Sequence, residues 1–273
     1  MKILKTITGL FPFALKQKIY TYLTQSRSYD LTFTKPGLKK EHPAIGSPFK
    51  SIVDSNNMLE ILGQKYQPTK RMHNYLPNYW KHFRDVHTKV TRVLEIGVQT
   101  DRSIKMWEEF FPNAQVYGID ILPECKHYEG GRRKIFIGSQ NDPKFLQSVV
   151  DDAGGCFDII IDDGSHQVYH QLKSFDTLFP YLSSHGIYVI EDTGAVVGDV
   201  QLTTVRKIQN LIKHIMYFPK GIPFSHWSKL SKFPDNALWA DRNIAGISFY
   251  RWICFIERGR TPEDNPYLEK AVR

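Results

Sequence analysis

The sequence predicts an α/β fold: a mostly parallel, seven-stranded sheet that ends in an antiparallel hairpin. Three observations predict it. From about residue 92 to residue 192, short apolar runs alternate with segments of helical period, the pattern of parallel strands joined by crossover helices. Those runs are almost continuously apolar, as strands covered on both faces are. The last two β-rich runs, within AGISFYRWICFIERG (245–259), leave no room for a crossover helix, so they must form a hairpin.

The elements follow in order. NYLPNYWKHFRDVH (74–87) reads as an aromatic-faced helix leading into the first strand, RVLEIGV (92–98). SIKMWEEFF (103–111) has helical spacing at Ile104, Trp107, Phe110 and Phe111. AQVYGIDI (114–121) and RKIFIGS (133–139) are strands two and three, and DPKFLQSVV (142–150) is a helix with Pro143 in its first turn. CFDIIID (156–162) is strand four, HQVYHQLKSFDTLFPYL (166–182) a helix, and GIYVIED (186–192) strand five. Trp227, Trp239, Phe249, Tyr250 and Trp252 read as core or dimer-contact aromatics.

Composition bounds the function. The 273 residues suit one large α/β domain with a small extension. The domains expected are a basic N-terminal extension over 1–60, a helix plus an irregular linker, and a catalytic-type domain over 61–273. Net charge is +8, but residues 1–50 hold nine Lys or Arg against two acids, so the rest of the chain carries only +1. A nearly neutral core argues against nucleic acid as a partner. The three widely spaced cysteines give neither a disulfide framework nor a CxxC motif, which points to a reducing, cytoplasmic setting. MKILKTITGLFPFALKQK is too short and too interrupted for a membrane span. Residues 1–20 suit an amphipathic segment in peripheral contact with a membrane; packing on the domain or on a partner subunit, with a homo-oligomer as one form of that, is the preferred reading.

The functional signal is the acidity of the strand ends. Glu95, Asp120, Asp162, Asp163, Glu191 and Asp192 all fall where strands of the predicted sheet end. Ligands of such sheets bind beyond the carboxyl ends of the strands, and six converging carboxylates repel one another unless a cation or ligand sits among them. A dinucleotide needs a glycine-rich turn, yet EIGVQTDRS carries only Gly97, and Asp101 faces a phosphate badly. S-adenosylmethionine has no phosphate and carries a sulfonium and an ammonium. Asp120, 23 residues after Gly97, suits its ribose hydroxyls.

LEIGV, the following S-x-x-M-W, FPNAQVYGID, IDDGSHQ, LFPYL and GIYVIED resemble the metal-dependent sugar O-methyltransferases that act on deoxysugars of mycinamicin, tetracenomycin and elloramycin; relatives carry the name cephalosporin hydroxylase-like. The similarity covers about residues 64–260, and YQPTKRMHNYLPNY resembles the family's Tyr-Gly-Thr-Asp-Lys segment that closes over the cofactor. This resemblance implies a Rossmann-like class I methyltransferase fold and a sugar-containing small molecule or glycan as methyl acceptor. It implies cofactor contacts from Tyr66, Thr69, Lys70, Glu95, Gly97, Ser103, Asp120, Ser139, Gln140 and Asp162, with capping of the next helix as the alternative for Asp162.

Neighbouring strands lie about 4.8 Å apart, so Asp163, Glu191 and Asp192 at the ends of strands four and five are expected to share one divalent cation. Hard oxygen ligands suit Mg²⁺ or Mn²⁺. His166, three residues past Asp163, is the expected general base. His170, one turn on, reads as structural; His73 and Tyr75 read as helix-start residues, with the resemblance implying a substrate-side role as the alternative. Two other classes stay open: a non-catalytic cofactor-binding or scaffold protein, suggested by the altered glycine turn, and an iron-dependent hydroxylase, suggested by the relatives' other name, which needs two His and one carboxylate.

Overall fold

A computed structural model describes residues 57–193, 201–212, 240 and 243–259. The expectations for the extension, including its membrane-facing segment, and for Trp227 and Trp239 therefore fall outside the described residues. The expected domain boundary at residue 60 lies within the described helix α1, Met58–Tyr66. Among the described residues no helix is long and apolar enough to cross a membrane.

Helices α1, α2 (Thr69–Met72) and α3 (Leu76–Phe83) precede the sheet. Then come β1 (Arg92–Ile96), α4 (Asp101–Phe110), β2 (Gln115–Asp120), β3 (Arg133–Ile137), α5 (Pro143–Asp152), β4 (Phe157–Asp162), α6 (Val168–Leu178) and β5 (Leu182–Ile190). Helix α7 (Gln201–Asn210), β6 (Ile244–Tyr250) and β7 (Ile253–Arg258) complete the order. The seven strands lie as β3-β2-β1-β4-β5-β7-β6. β1 to β5 pair in parallel, while β7 runs antiparallel to both β5 and β6. The two-residue connection Arg251-Trp252 forces that hairpin.

Chain direction reverses its march across the sheet at β1, which pairs with β2 on one side and β4 on the other. The crevice for a ligand lies beyond the carboxyl ends there. Apolar side chains fill both faces. On one, α1, α3 and α4 contribute Leu59, Tyr79, Phe83, Trp107, Phe110 and Phe111 against Val93, Ile159, Ile161 and Val189. On the other, α5 and α6 contribute Leu146, Val149, Phe175 and Leu178 against Leu94, Ile160, Tyr188 and Ile190.

The strand period of two carries this division into the site. Ile159 and Ile161 face the α3–α4 layer and Ile160 the α6 layer. Asp162 continues toward α6, where Ser174 meets it, and Asp163 turns back toward Lys70 of α2. In β5, Ile187 and Val189 face the α3–α4 layer, and Glu191 follows them.

Candidate active site at the carboxyl edge of the sheet

The loops after β1, β2, β3, β4 and β5, with Pro68, Thr69 and His73 ahead of β1, enclose a cavity of about 520 Å³, within the range of small-molecule sites. Its walls mix apolar groups (Ile96, Val98, Ile119, Ile121, Leu122) with polar ones (Ser103, Asp120, Ser139, Gln140). Ile121 and Leu122 are exposed there despite being large and apolar.

The β1 and β2 ends set one half of the site through backbone. Gly97 has φ +92°, and a Cβ on it would lie 2.1 Å from the carbonyl oxygen of Asp163. Only glycine lets the β1 turn pass that close to the β4 turn. Asp120 accepts from the backbone N–H of Gln99 at 2.7 Å and of Leu122 at 2.9 Å. It thereby shapes both loops while still facing the cavity.

Asp162 and Gln140 link the β3 and β4 loops. Asp162 is fully buried. It accepts from Ser174 Oγ, from Gln140 Nε2 at 3.1 Å and from the Gly164 N–H at 3.3 Å. Burial nonetheless pushes its carboxyl above the usual range. Gln140 Oε1 in turn accepts from the Ser165 N–H at 2.7 Å.

The β4 and β5 ends are organised differently. Lys70 is fully buried with its Nζ against three carboxylates: Asp163, Glu191 at 2.8 Å and Glu95 at 3.1 Å. Burial favours the neutral amine, but the attraction of Asp163, Glu191 and Glu95 outweighs it and holds the ammonium charged. Glu95 also accepts from Ser103 Oγ at 2.8 Å and Trp107 Nε1 at 3.0 Å. Glu191 accepts from the Tyr79 hydroxyl, and Asp192 from the Tyr75 hydroxyl, each at 2.5 Å. Burial and the Asp163 charge push the Glu191 carboxyl up to about 8, against the pull of Lys70.

Asp163, His166 and Asp192 offer ligand atoms that all lie within 4.8 Å of one another. His166 Nε2 stands 3.6 Å from Asp192 Oδ2. Its Nδ1 is buried with no hydrogen-bond partner among the described residues. His166 and Asp192 both have left-handed backbone, φ +57° and +51°, as does Gln99 at +46°. Such conformations cost roughly 1–3 kcal/mol each and collect at functional sites. Two carboxylates and an imidazole with an unused buried nitrogen fit a small divalent cation.

Of the residues singled out from sequence, the structure brings Thr69, Gly97, Ser103, Asp120, Ser139, Gln140, Asp163, His166 and Asp192 to the cavity wall. Four expected cofactor contacts are not among the lining residues. Tyr66 donates to Glu109 on the outer side of α4, Lys70 and Glu95 are consumed in the ion cluster, and Asp162 ties down the β4 turn and α6. Helix α6 has Gln167 at its N-cap with no side-chain cap, so Asp162 does not cap it. Glu191 adjoins the cation-competent group but is 1% exposed, with Oε1 engaged by Lys70 and Tyr79. His73 and His170 line the cavity after all, His73 Nδ1 lying 3.7 Å from Asp192 and His170 Nδ1 2.8 Å from Ser165 Oγ. Sequence reasoning also missed Arg102 on the wall.

Parallel strands in this order, closed by an antiparallel seventh, with ligand-binding loops at the carboxyl edge, define a Rossmann-like methyltransferase fold. No family model matches the chain. It is 36% identical over 209 residues to mycinamicin VI 2''-O-methyltransferase of Micromonospora griseorubida and 32% identical over 209 residues to demethylmacrocin O-methyltransferase of Streptomyces fradiae. Each match covers 70% of this chain and 50% of the relative. Among solved structures it is similar to MycE methyltransferase from the mycinamycin biosynthetic pathway in complex with Mg, SAH and mycinamycin VI. That likeness has a TM-score of 0.62 at 33% identity and covers 79% of this chain and 59% of the other. Over the matched region the chain is similar in sequence and in fold to these sugar O-methyltransferases. It spans about half the length of the curated relatives it matches.

Proposed function

We propose that this chain is an S-adenosylmethionine-dependent O-methyltransferase that uses a divalent cation and acts on a sugar hydroxyl of a glycosylated natural product or another glycan. The observation that carries the reading is the Asp163–His166–Asp192 group opening on the cavity built by the β1 and β2 loops. One cavity therefore serves a nucleoside-type ligand at one end and a cation with a hydroxyl acceptor at the other. The relatives' activities and the Mg and SAH of the MycE complex support the same reading.

S-adenosylmethionine supplies a methyl group on a sulfonium, and the cation supplies a positive charge that makes an acceptor hydroxyl easier to deprotonate. Asp120 is the residue for the ribose hydroxyls, since a carboxylate holding two backbone donors keeps further acceptor capacity. Ile121 and Leu122 offer an apolar face to an adenine ring. Arg102 is the guanidinium among the lining residues available to the carboxylate of the methionine part. Asp163 and Asp192, with His166 beside them and Glu191 behind, hold the cation. His166 takes the acceptor's hydroxyl proton at Nε2, and Asp192, 3.6 Å away, stabilises the imidazolium so formed.

Calorimetric titration with S-adenosylhomocysteine tests the cofactor half, and a methylation screen over deoxysugar-bearing glycosides with and without EDTA tests the rest. Binding with EDTA-sensitive methylation is the expected result. Absence of S-adenosylhomocysteine binding would leave the scaffold reading in its place.

A further inference from the structure

Ten residues of the chain, 70 to 79, reach all three carboxylates at the ends of β4 and β5. Lys70 donates to Asp163, Tyr75 to Asp192 and Tyr79 to Glu191. These donors are fixed relative to one another by backbone bonds, Tyr75 N–H to the Lys70 carbonyl at 2.9 Å and Tyr79 N–H to the Tyr75 carbonyl at 3.0 Å. The Tyr79 ring is wedged between Trp107 and Phe255, with centroids 5.1 and 5.4 Å away. The Tyr75 ring is 1% exposed. None of the three side chains lines the cavity, so none is placed to touch cofactor or acceptor.

We propose that Lys70, Tyr75 and Tyr79 are a positioning shell that arranges Asp163, Glu191 and Asp192 for a divalent cation before the cation arrives. The proposal rests on the cation-dependent reading above and adds to it the residues that set cation affinity. Crowded carboxylates repel one another and rotate apart unless each is held. The two phenols hold Asp192 and Glu191 without adding positive charge, so the cluster still attracts a cation. Burial together with Asp192 and Glu191 keeps the two phenols protonated. Outer-layer partners of metal ligands commonly set affinity by about 10- to 100-fold.

The test is Mn²⁺ affinity, read from the free-ion EPR signal, for the full chain and for Tyr75→Phe, with S-adenosylhomocysteine affinity measured on the same samples. Tyr75→Phe removes one hydroxyl and keeps the buried ring. The expected result is Mn²⁺ binding weakened by about tenfold or more, with S-adenosylhomocysteine binding within about twofold of wild type. A loss of Mn²⁺ affinity under about threefold would overturn the shell, and so would a parallel loss of both ligands, which marks general damage. If Tyr75→Phe does not fold, Tyr79→Phe is read by the same rule. Failure of wild type to bind Mn²⁺ is a separate result: it removes the cation-dependent reading itself and the shell with it.

Discussion

The two halves of the sheet's carboxyl edge hold their acids by different means. At the β1–β2 end, Asp120 is fixed by backbone N–H groups from its own loop and the loop beside it, 2 and 21 residues away in sequence. At the β4–β5 end, Asp163, Glu191 and Asp192 are fixed by side chains 93, 112 and 117 residues upstream. The adjacent pair Asp162 and Asp163 spans the divide. Asp162 is sealed under α6, while Asp163 faces Lys70 and the cavity. The local half is a cavity wall shaped by backbone hydrogen bonds, the part proposed to take the nucleoside. The long-range half is an electrostatic device that exists only when α2 and α3 are docked on the sheet.

The sharpest way to break the comparison is Lys70→Met. It strips the ammonium from three buried or half-buried carboxylates and should cost about 3–5 kcal/mol in urea unfolding. A cost below about 1 kcal/mol would mean that the cluster is not held by that charge. Ser174→Ala comes next. Loss of a hydrogen bond to the buried Asp162 carboxylate should cost about 1.5–3 kcal/mol, with Mn²⁺ affinity unchanged, because Asp162 stands on the other face. Asp120→Asn should weaken S-adenosylhomocysteine binding by about tenfold in calorimetry, roughly the 1.5–3 kcal/mol scale of a charge-assisted hydrogen bond, and leave Mn²⁺ binding alone. If Asp120→Asn also weakened Mn²⁺ binding, the two halves would not be separate.

A last expectation concerns pH. Glu191 has an ordinary carboxyl pKa near 4.5 in the unfolded chain and about 8 in the folded, cation-free protein. Between those values the unfolded state has lost a proton that the folded state keeps, so this group's contribution to stability falls as pH rises from about 4.5 to about 8 and is level above that. The thermal midpoint of EDTA-treated protein should drop between pH 5 and pH 8, and saturating Mg²⁺ should reduce the drop. An EDTA-treated midpoint that rises across this window would show that other groups dominate.

How much of this was legible in the sequence follows the same divide. The strands were readable because apolar runs of strand length recur between amphipathic helices, and the hairpin because two residues cannot hold a crossover. Gly97 was readable in the turn after the first strand, Asp120 as a strand-end acid and Gln140 as a loop residue, while Ser139 read as the end of strand three. The separation of Asp162 from Asp163 was readable in principle: the period of two that places Ile160 and Ile161 on opposite faces does the same for the two acids. Lys70 was not readable as an internal cation, because it is 93 residues from Asp163 and its meaning depends on how α2 docks. The surplus of acids at one edge did call for positive charge, and a buried lysine answers that call as well as a metal does. The left-handed backbone at His166 and Asp192 has no signal in residue type beyond the tolerance of His and Asp for it.

The central claim is that Asp163 and Asp192 hold a divalent cation beside His166 and a cofactor pocket. Its most direct test is an Mn²⁺ titration followed by EPR on wild type and Asp192→Asn, with S-adenosylhomocysteine affinity as the companion reading. The account predicts saturable Mn²⁺ binding by wild type, weakening on the order of tenfold or more in the variant as one ligand charge is lost, and unchanged S-adenosylhomocysteine binding. Mn²⁺ binding of equal strength in both proteins, or none in wild type, would contradict it.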